Sequence, residues 1–282
     1  DEVLIPAPYW VSYPDQVLLN DAIPVSVKTY ESDAFKVQPE ALESHITVKT
    51  RALILNTPSN PTGLTYDRRS LERVAEIVLK HDLLVVSDEI YEKLTYGGFQ
   101  HISIASVDES VKAKTIVVNG LSKSYAMTGW RIGYAAGPKE IIQAMTKIQS
   151  QSTSNPTSIA QKAALEALRG PQDSIQRMCV EFDRRRRFLV DALNAIPGVR
   201  CLMPTGAFYA FPNTGAFYGK SSEKRISSSS DLALYLLEEA KVALVHGGAF
   251  GDDDHLRLSY ATSMDEIRKG VDRIRAALSR IS

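Results

Sequence analysis

The sequence predicts an α/β fold in which a mostly parallel sheet carries helices on both faces, followed by a smaller C-terminal α+β domain. Over the first two-thirds of the 282 residues, short apolar runs alternate with amphipathic stretches. Strand, helix and strand in this rhythm are typical of a parallel sheet covered by helices. Beyond Gly198 the pattern changes and short strand-like runs follow one another. The sequence therefore predicts a large domain over 1–187 and a small domain over 188–282.

The large domain is predicted from apolar periodicity and from helix-starting prolines. Its elements, in order, are a strand-like start, a strand at 51–55, a helix marked by Leu71, Val74, Ala75 and Val78, strands at 83–86 and 115–118, helices with Pro138 and Pro156 at their first position, and a long helix over about 173–195.

The small domain has shorter predicted elements. They are strands at 199–203 and 208–211, an exposed serine-rich loop that includes 221–222 and 227–230, a helix through Leu232, Tyr235 and Leu236, strands at 242–245 and 256–259, and a final helix. A capping box, Ser-Met-Asp-Glu at 263–266, begins that helix. Its apolar stripe consists of Met264, Ile267, Val271, Ile274, Leu278 and Ile281.

Net charge, the arginine run and the histidine spacing argue against a nucleic-acid-binding, membrane-surface or metal-binding protein. Lys+Arg and Asp+Glu both number 33, so the net charge of +0 argues against a nucleic-acid or membrane-surface protein. The arginine run at 184–187 follows Glu181 and Asp183 closely, which favours an ion-paired helix. The five histidines show no metal-ligand spacing, so no metal site is predicted.

The cellular compartment is predicted from the cysteines and from the first residues of the sequence. Cys179 and Cys201 are predicted to be free thiols in a reducing compartment, which favours the cytoplasm. The sequence starts at Asp1 without a Met, so we expect an upstream segment to be missing. A plastid or another organelle stays open, because any targeting peptide would lie in that segment.

Three polar clusters follow predicted strands, at 60–63, at 88–91, and at 122–124 with Arg131 beyond. The carboxyl ends of parallel strands are where ligands bind in open α/β sheets. A lysine such as Lys123 can form an imine with an aldehyde cofactor, and Asp88 can pair with a cofactor's ring nitrogen. Ser122 and Arg131 are candidates for a phosphate. Taken singly, Asp88 could cap a helix and Lys123 could be a surface charge.

Together these clusters resemble the class I aminotransferases of the aspartate aminotransferase family. The motifs are Asn-Pro-Thr-Gly at 60–63, Asp-Glu-Ile-Tyr at 88–91, Ser-Lys-Ser-Tyr-Ala-Met-Thr-Gly-Trp-Arg at 122–131 and Arg-Leu-Ser-Tyr at 257–260. The resemblance covers essentially the whole chain. Segments 8–13 and 259–263 resemble the branch that includes prephenate aminotransferases. The family implies the fold type I transferase architecture, pyridoxal 5′-phosphate (PLP) as cofactor, and a homodimer.

The resemblance also implies a role for each site residue. Lys123 would form the Schiff base with PLP, Asp88 would pair with the pyridinium nitrogen, and Trp10 and Ile90 would cover the two faces of the ring. Lys123, Asp88 and Tyr91 would be catalytic. The cofactor would be bound by Trp10, Asn60, Asp88, Tyr91, Ser122, Lys123 and Arg131, and the substrate by Asn60, Arg257 and Phe208.

The reaction expected from this resemblance is ping-pong transamination. Aspartate or glutamate would donate to 2-oxoglutarate or oxaloacetate, with prephenate as an additional acceptor. Lys123 would need a pKa well below that of free lysine to act as the base. Two alternatives stay open: another PLP reaction, such as that of a C–S β-lyase or an aminocyclopropane-carboxylate synthase, and a non-catalytic aminotransferase-like domain.

The sequence departs from the family pattern at His246, where the family has proline. If the loop borders the site, His246 would alter substrate preference or pH dependence. The residue that reads the substrate side chain is not identifiable. In relatives, the segment missing here also gives the phosphate backbone donors, so this chain alone is expected to bind PLP weakly.

Overall fold

The computed structural model describes residues 1–220 and 225–281. A six-stranded sheet, in the order β2-β1-β3-β4-β5-β6, dominates the molecule, and a three-stranded sheet has the order β7-β9-β8. The strands are β1 (Glu2–Ala7), β2 (Ile23–Lys28), β3 (Thr50–Asn56), β4 (Leu84–Asp88), β5 (Thr115–Gly120), β6 (Gly133–Ala136), β7 (Tyr209–Ala210), β8 (Val245–His246) and β9 (Leu256–Ser259).

The helices surround these sheets. They are α1 (Ser12–Leu18), α2 (Pro39–Ser44), α3 (Arg68–Lys80), α4 (Glu109–Lys112), α5 (Lys139–Ser152), α6 (Ser158–Arg169), α7 (Asp173–Asn194), α8 (Ser229–Ala240) and α9 (Met264–Leu278). Within the described ranges, none of them combines the length and apolar character that crossing a bilayer requires.

The large sheet is parallel except for β6, which runs antiparallel to β5. Side chains of β3 alternate between the two faces. Leu53 and Leu55 pack into one apolar cluster together with the buried stripe of α3, whereas Ile54 packs into a second cluster with Tyr13 and Val17 of α1. Helices therefore cover both faces, and the predicted fold class is confirmed for this part of the chain.

The small sheet is antiparallel, with β9 between β7 and β8. One apolar cluster joins it to α7, α8 and α9, and Leu232, Val271 and Ile274 are among its buried members. Ser263 accepts a hydrogen bond from the Glu266 N–H, so the predicted cap of the final helix is confirmed. The α+β character of this part is confirmed as well. The predicted boundary at 187/188 falls inside α7 and stays a prediction.

Two predicted strands of the small domain are wrong or too long. At 199–203 no strand forms, because both backbone groups of Cys201 bond the Asn194 side chain at 2.8 and 3.0 Å. At 242–245 only Val245 is in a strand. Lys241 ends α8 in the left-handed conformation, and the Val242 N–H bonds the Leu236 carbonyl instead of a strand.

Three helix starts also differ from the prediction. Pro138 occupies the cap position of α5 rather than the first turn. Pro156 precedes Thr157, whose hydroxyl accepts a hydrogen bond from the Ala160 N–H and caps α6. Ser228 caps α8, so the predicted serine-rich loop ends there. Its other part, 221–222, lies outside the described residues.

The arginine run on α7 is paired, as predicted. Arg184 and Arg185 bind Glu181, and Arg186 and Arg187 bind Asp183. The side chain of Arg186 is only 4% exposed, and its guanidinium also donates to the Pro204 carbonyl. Arg186 is therefore a buried cation with fixed partners, whereas its neighbours are surface charges.

This difference makes Asp183 and Glu181 a matched pair for a stability measurement. We expect Asp183→Ala to lower the free energy of unfolding by ~3 kcal/mol, because it leaves the buried Arg186 cation without its carboxylate. Glu181→Ala removes only surface pairs and should change little. Urea unfolding followed by circular dichroism measures both values, and equal losses in the two variants would contradict the assignment.

Candidate active site

The predicted site residues meet at the carboxyl edge of the large sheet. β3 ends at Asn56 beside Asp88, the last residue of β4, and Asp88 in turn lies beside Val118 of β5. A cavity of about 340 Å³ opens there. Every predicted site residue except Phe208 lines it: Trp10, Asn60, Asp88, Tyr91, Ser122, Lys123, Arg131 and Arg257.

The loop that carries Asn60 is held on both sides. The Asn60 N–H donates to the Asn56 side chain at 2.8 Å, and Asn56 donates to the Asp88 carbonyl at 3.0 Å. At the loop's end, Gly63 has a φ of +68°, and a Cβ there would lie 2.5 Å from the Tyr209 carbonyl oxygen. Only glycine combines that conformation with that close approach.

Asp88 is a largely buried carboxyl group with two donors. The Tyr13 hydroxyl donates to Oδ2 at 2.6 Å, and the Ile90 N–H donates to Oδ1 at 3.1 Å. Burial raises the pKa of Asp88 above its usual value, while these two hydrogen bonds act in the opposite direction. A cation placed beside this carboxylate would favour its ionised form.

Lys123 follows β5 and shares the cavity with Asp88. Burial lowers the pKa of its amine first, and the positive charges of Arg131 and Arg257 lower it further. Asp88 opposes this shift. A lysine with a lowered pKa has more of its amine in the neutral form, which is the form that attacks a carbonyl or accepts a proton.

Arg131 lies at the outer rim of the cavity. Its φ of +51° is left-handed, and its Nη1 donates to the Thr128 carbonyl at 2.8 Å. The Thr128 hydroxyl donates to the Ser122 carbonyl at 3.0 Å, which ties both ends of this turn together. An exposed arginine beside a serine is suited to a phosphate.

Arg257 enters the same cavity from β9. Its Nη1 donates to Asn60 Oδ1 at 3.0 Å, and its Cζ lies 4.7 Å from the Tyr209 ring centroid and 5.0 Å from the Phe250 centroid. Burial lowers its pKa. Its Nε is buried and, within the described residues, has no hydrogen-bond partner. An unpartnered guanidinium N–H in a cavity fits a carboxylate ligand.

Aromatic side chains form the walls. Trp10 is 36% exposed and meets the Tyr13 ring edge-on, at 5.4 Å between centroids. Phe208 lies behind the wall: its ring packs edge-on against Tyr91 at 5.4 Å, and the Lys123 amine lies 5.9 Å from its centroid. Phe208 therefore contacts the site through Tyr91 rather than lining the cavity.

Five residues that line the cavity were not predicted as site residues from the sequence: Tyr13, Asn56, Val118, Thr128 and Tyr209. Asn56 could have been predicted as a site residue, because it is the polar residue that directly follows the predicted strand at 51–55. Tyr13 and Tyr209 had no such signal, since a tyrosine near an apolar segment is ordinary packing. His246 is not among the described residues that line the cavity; it ends β8, opposite Leu256.

One other cluster could hold a metal by distance alone. Ligand atoms of Glu89, Glu92 and His101 lie within 4.8 Å of one another. The Glu89 carboxylate, however, already accepts hydrogen bonds from Ser87 and Ser103 and contacts His101 Nε2 at 3.0 Å. The cluster is explained as a buried hydrogen-bond network, and the predicted lack of a metal site stays a prediction.

The donor set fits one kind of cofactor. A lysine amine bonds an aldehyde, a carboxylate suits a protonated ring nitrogen, and an arginine beside a serine suits a phosphate. The unpartnered Nε of Arg257 then remains for an amino acid carboxylate. The fold and this donor set fit an enzyme that binds an aldehyde cofactor and an amino acid at the sheet edge.

The comparisons with known proteins give the family. The model described as "Aminotransferase class I and II" matches residues 1–274, so the chain belongs to the class I and II aminotransferases and is an enzyme of that family. The resemblance found in the motifs is confirmed.

Individual relatives agree with this family. The aspartate aminotransferase of Geobacillus stearothermophilus is 53% identical over 274 residues, which is 97% of this chain and 69% of the relative. The aspartate/prephenate aminotransferase of Nitrosomonas europaea is 47% identical over 99% of this chain and 71% of its own length. The crystal structure of the Rhizobium meliloti aspartate aminotransferase superposes with a TM-score of 0.97 at 45% identity, covering 100% of this chain and 71% of that one.

Proposed function

We propose that the protein catalyses PLP-dependent transamination, with aspartate or glutamate as donor and 2-oxoglutarate or oxaloacetate as acceptor. Prephenate is the proposed additional acceptor. The observation that carries this proposal is the cavity shared by Lys123, Asp88 and Arg257, whose Nε has no hydrogen-bond partner among the described residues. The names of the relatives support it: they are aspartate and aspartate/prephenate aminotransferases.

PLP, when bound, supplies an electron-withdrawing ring that takes up the electron pair left when a substrate Cα–H bond breaks. Lys123 would hold the cofactor covalently, Asp88 its ring nitrogen, and Ser122 and Arg131 its phosphate. Asn60 and Tyr91 would bond the ring oxygen, and Trp10 would cover the ring face.

The chain's own residues then place the substrate and move its proton. Arg257 would bind the amino acid carboxylate through its free Nε and a second nitrogen, which fixes the Cα relative to Lys123. Once the amino group of the substrate has replaced Lys123 on the cofactor, the freed neutral amine of Lys123 would accept the Cα proton and would donate it to the carbon of the former cofactor aldehyde. Its lowered pKa makes the neutral form of the amine more available than it is in a surface lysine.

A label on Lys123 tests the proposal directly. PLP is added to the purified chain, the visible spectrum is recorded, and borohydride reduction is followed by digestion and mass spectrometry. We expect a visible absorption band, its loss on addition of aspartate, and the reduced pyridoxyl group on Lys123. A label on another lysine, or a band unaffected by aspartate and glutamate, would contradict the proposal.

The other reactions left open by the sequence are not favoured. A β-lyase would release pyruvate without a 2-oxo acid acceptor, so product analysis of the same mixture separates it from a transaminase. A non-catalytic domain would show no amino acid turnover at all. The relatives' names support neither.

The role of Arg257 is tested by a substitution that keeps its charge. We expect Arg257→Lys to raise the KM for aspartate about tenfold to a hundredfold, because a lysine loses at least one charge-assisted hydrogen bond worth ~1.5–3 kcal/mol. Arg187→Lys on the surface of α7 is the matched control. Steady-state kinetics measure both variants, and an unchanged KM in Arg257→Lys would rule out the carboxylate role.

The remaining expectations are part of the same proposal. We propose a homodimer, as in the family, a domain division near residue 188, and a cytoplasmic location. Analytical ultracentrifugation measures the oligomeric state and so tests the homodimer.

A further inference from the structure

Tyr209 connects two parts of the site that the sequence analysis treated separately. It lies on β7, is only 7% exposed, and lines the cavity together with Tyr91 and Arg257. Its ring faces the guanidinium of Arg257, and its hydroxyl faces the hydroxyl of Tyr91. The ring also packs in the core, at 5.8 Å from the Tyr91 centroid and 4.8 Å from that of Phe208.

The ring of Tyr209 restricts the guanidinium of Arg257. The Cζ atom lies 4.7 Å from the Tyr209 centroid and 5.0 Å from that of Phe250. Such distances give a cation–π attraction, which strengthens when the cation is removed from water. Nη1 is bonded to Asn60, and the buried Nε has no hydrogen-bond partner among the described residues.

The hydroxyl of Tyr209 lies within hydrogen-bond distance of the Tyr91 hydroxyl. The two oxygens lie 2.9 Å apart, and burial raises the pKa of both groups, so both stay protonated. Each hydroxyl has one proton to donate. If Tyr91 donates to a ring oxygen of the cofactor, the proton between the two tyrosines must come from Tyr209.

We propose that Tyr209 is a positioning residue with two separable effects. Its ring holds Arg257 in the orientation that binds the substrate carboxylate, and its hydroxyl directs the Tyr91 proton to the cofactor. This inference rests on the proposed function, since it requires PLP in the cavity and a carboxylate on Arg257. It assigns substrate binding and cofactor tuning to different atoms of one side chain.

Two substitutions separate the two effects. Tyr209→Phe removes only the hydroxyl, whereas Tyr209→Leu also removes the ring. With the PLP-loaded protein, calorimetry with succinate, a dicarboxylate without an amino group, measures the carboxylate site without turnover. We expect Tyr209→Leu to raise the Kd for succinate roughly three- to thirtyfold and Tyr209→Phe to leave this Kd unchanged.

The hydroxyl effect is read from the pH titration of the cofactor's visible absorbance. We expect Tyr209→Phe to move the midpoint in the same direction as Tyr91→Phe but by less. In the double variant the shift should equal that of Tyr91→Phe alone, because the Tyr209 proton acts only through Tyr91. Tyr235→Phe is the matched control: it removes a tyrosine hydroxyl that bonds the Ala277 carbonyl, between α8 and α9.

The outcomes of these experiments separate failure of the Tyr209 inference from failure of the proposed aminotransferase function. If Lys123 takes the reduced label in every variant but the midpoint of Tyr209→Phe equals that of the wild type, the positioning role is wrong and the aminotransferase proposal stands. Additive shifts in the double variant would likewise overturn it, as would an unchanged succinate Kd in a folded Tyr209→Leu. If the wild type takes no label, both proposals fail.

Discussion

Replacing Lys123 with alanine is expected to lower kcat for aspartate transamination at least about 10³-fold, because the variant loses both the covalent anchor and the base. The reduced pyridoxyl label should disappear from the same peptide. Lys123→Arg should fail as well, since arginine keeps the positive charge but cannot be deprotonated in a protein. Activity assays and mass spectrometry on one preparation measure both effects.

The control for Lys123 is a lysine outside the cavity. Lys112 on α4 pairs with Glu109 on the surface, so Lys112→Ala should keep both the label and the activity. A Lys123→Ala protein that still turns over aspartate at more than about a tenth of the wild-type rate would remove the lysine from the mechanism.

The pH dependence of the wild type follows from the same amine. The pKa of Lys123 is lowered by burial and by the two arginines. Protonated Lys123 cannot accept the Cα proton, so kcat should rise as pH increases through this lowered pKa and then level off. A surface lysine would place that rise near pH 10.4, the ordinary value.

Replacing Asp88 with asparagine is expected to give the second large loss, about 10²- to 10³-fold in kcat/KM. The substitution keeps the size of the side chain and one oxygen that can accept from Tyr13 or Ile90, but it removes the negative charge. Without that charge a cofactor ring nitrogen loses the partner that keeps it protonated, so both PLP affinity and turnover should fall.

Asp82→Asn is the matched control, because Asp82 is an exposed carboxylate paired with Lys114. It should leave PLP binding and kcat/KM unchanged. If Asp88→Asn binds and reacts like the wild type, the carboxylate serves only to bond Tyr13 and Ile90, and another group must be sought for the ring nitrogen.

The large sheet was predictable because its strands are short apolar runs ended by polar motifs. The strands at 51–55 and 115–118 and the helix with Leu71 and Val74 lie where their periodicity placed them. The predicted strand at 199–203 is wrong because the Asn194 side chain bonds the backbone of Cys201. Such a side-chain hydrogen bond does not change the apolar periodicity from which strands are predicted.

The site was predictable as a set of residues but not as a geometry. Motif order brought Lys123, Asp88 and Arg257 to attention, and all three line one cavity. Nothing in the sequence placed the Tyr13 hydroxyl 2.6 Å from Asp88 or the Tyr209 ring against Arg257. Those contacts join residues far apart in the chain, so only tertiary packing reveals them.

The carbonyl of Gly63, in the loop that carries Asn60, accepts two backbone hydrogen bonds, from the Thr205 N–H at 2.9 Å and the Gly206 N–H at 2.8 Å. Both donors precede β7 in the chain, so these two hydrogen bonds join the loop after β3 to the segment that enters the small sheet. The two amide protons can exchange with deuterium only when these hydrogen bonds open. Their exchange rate therefore reports how often the loop that carries Asn60 separates from the segment before β7.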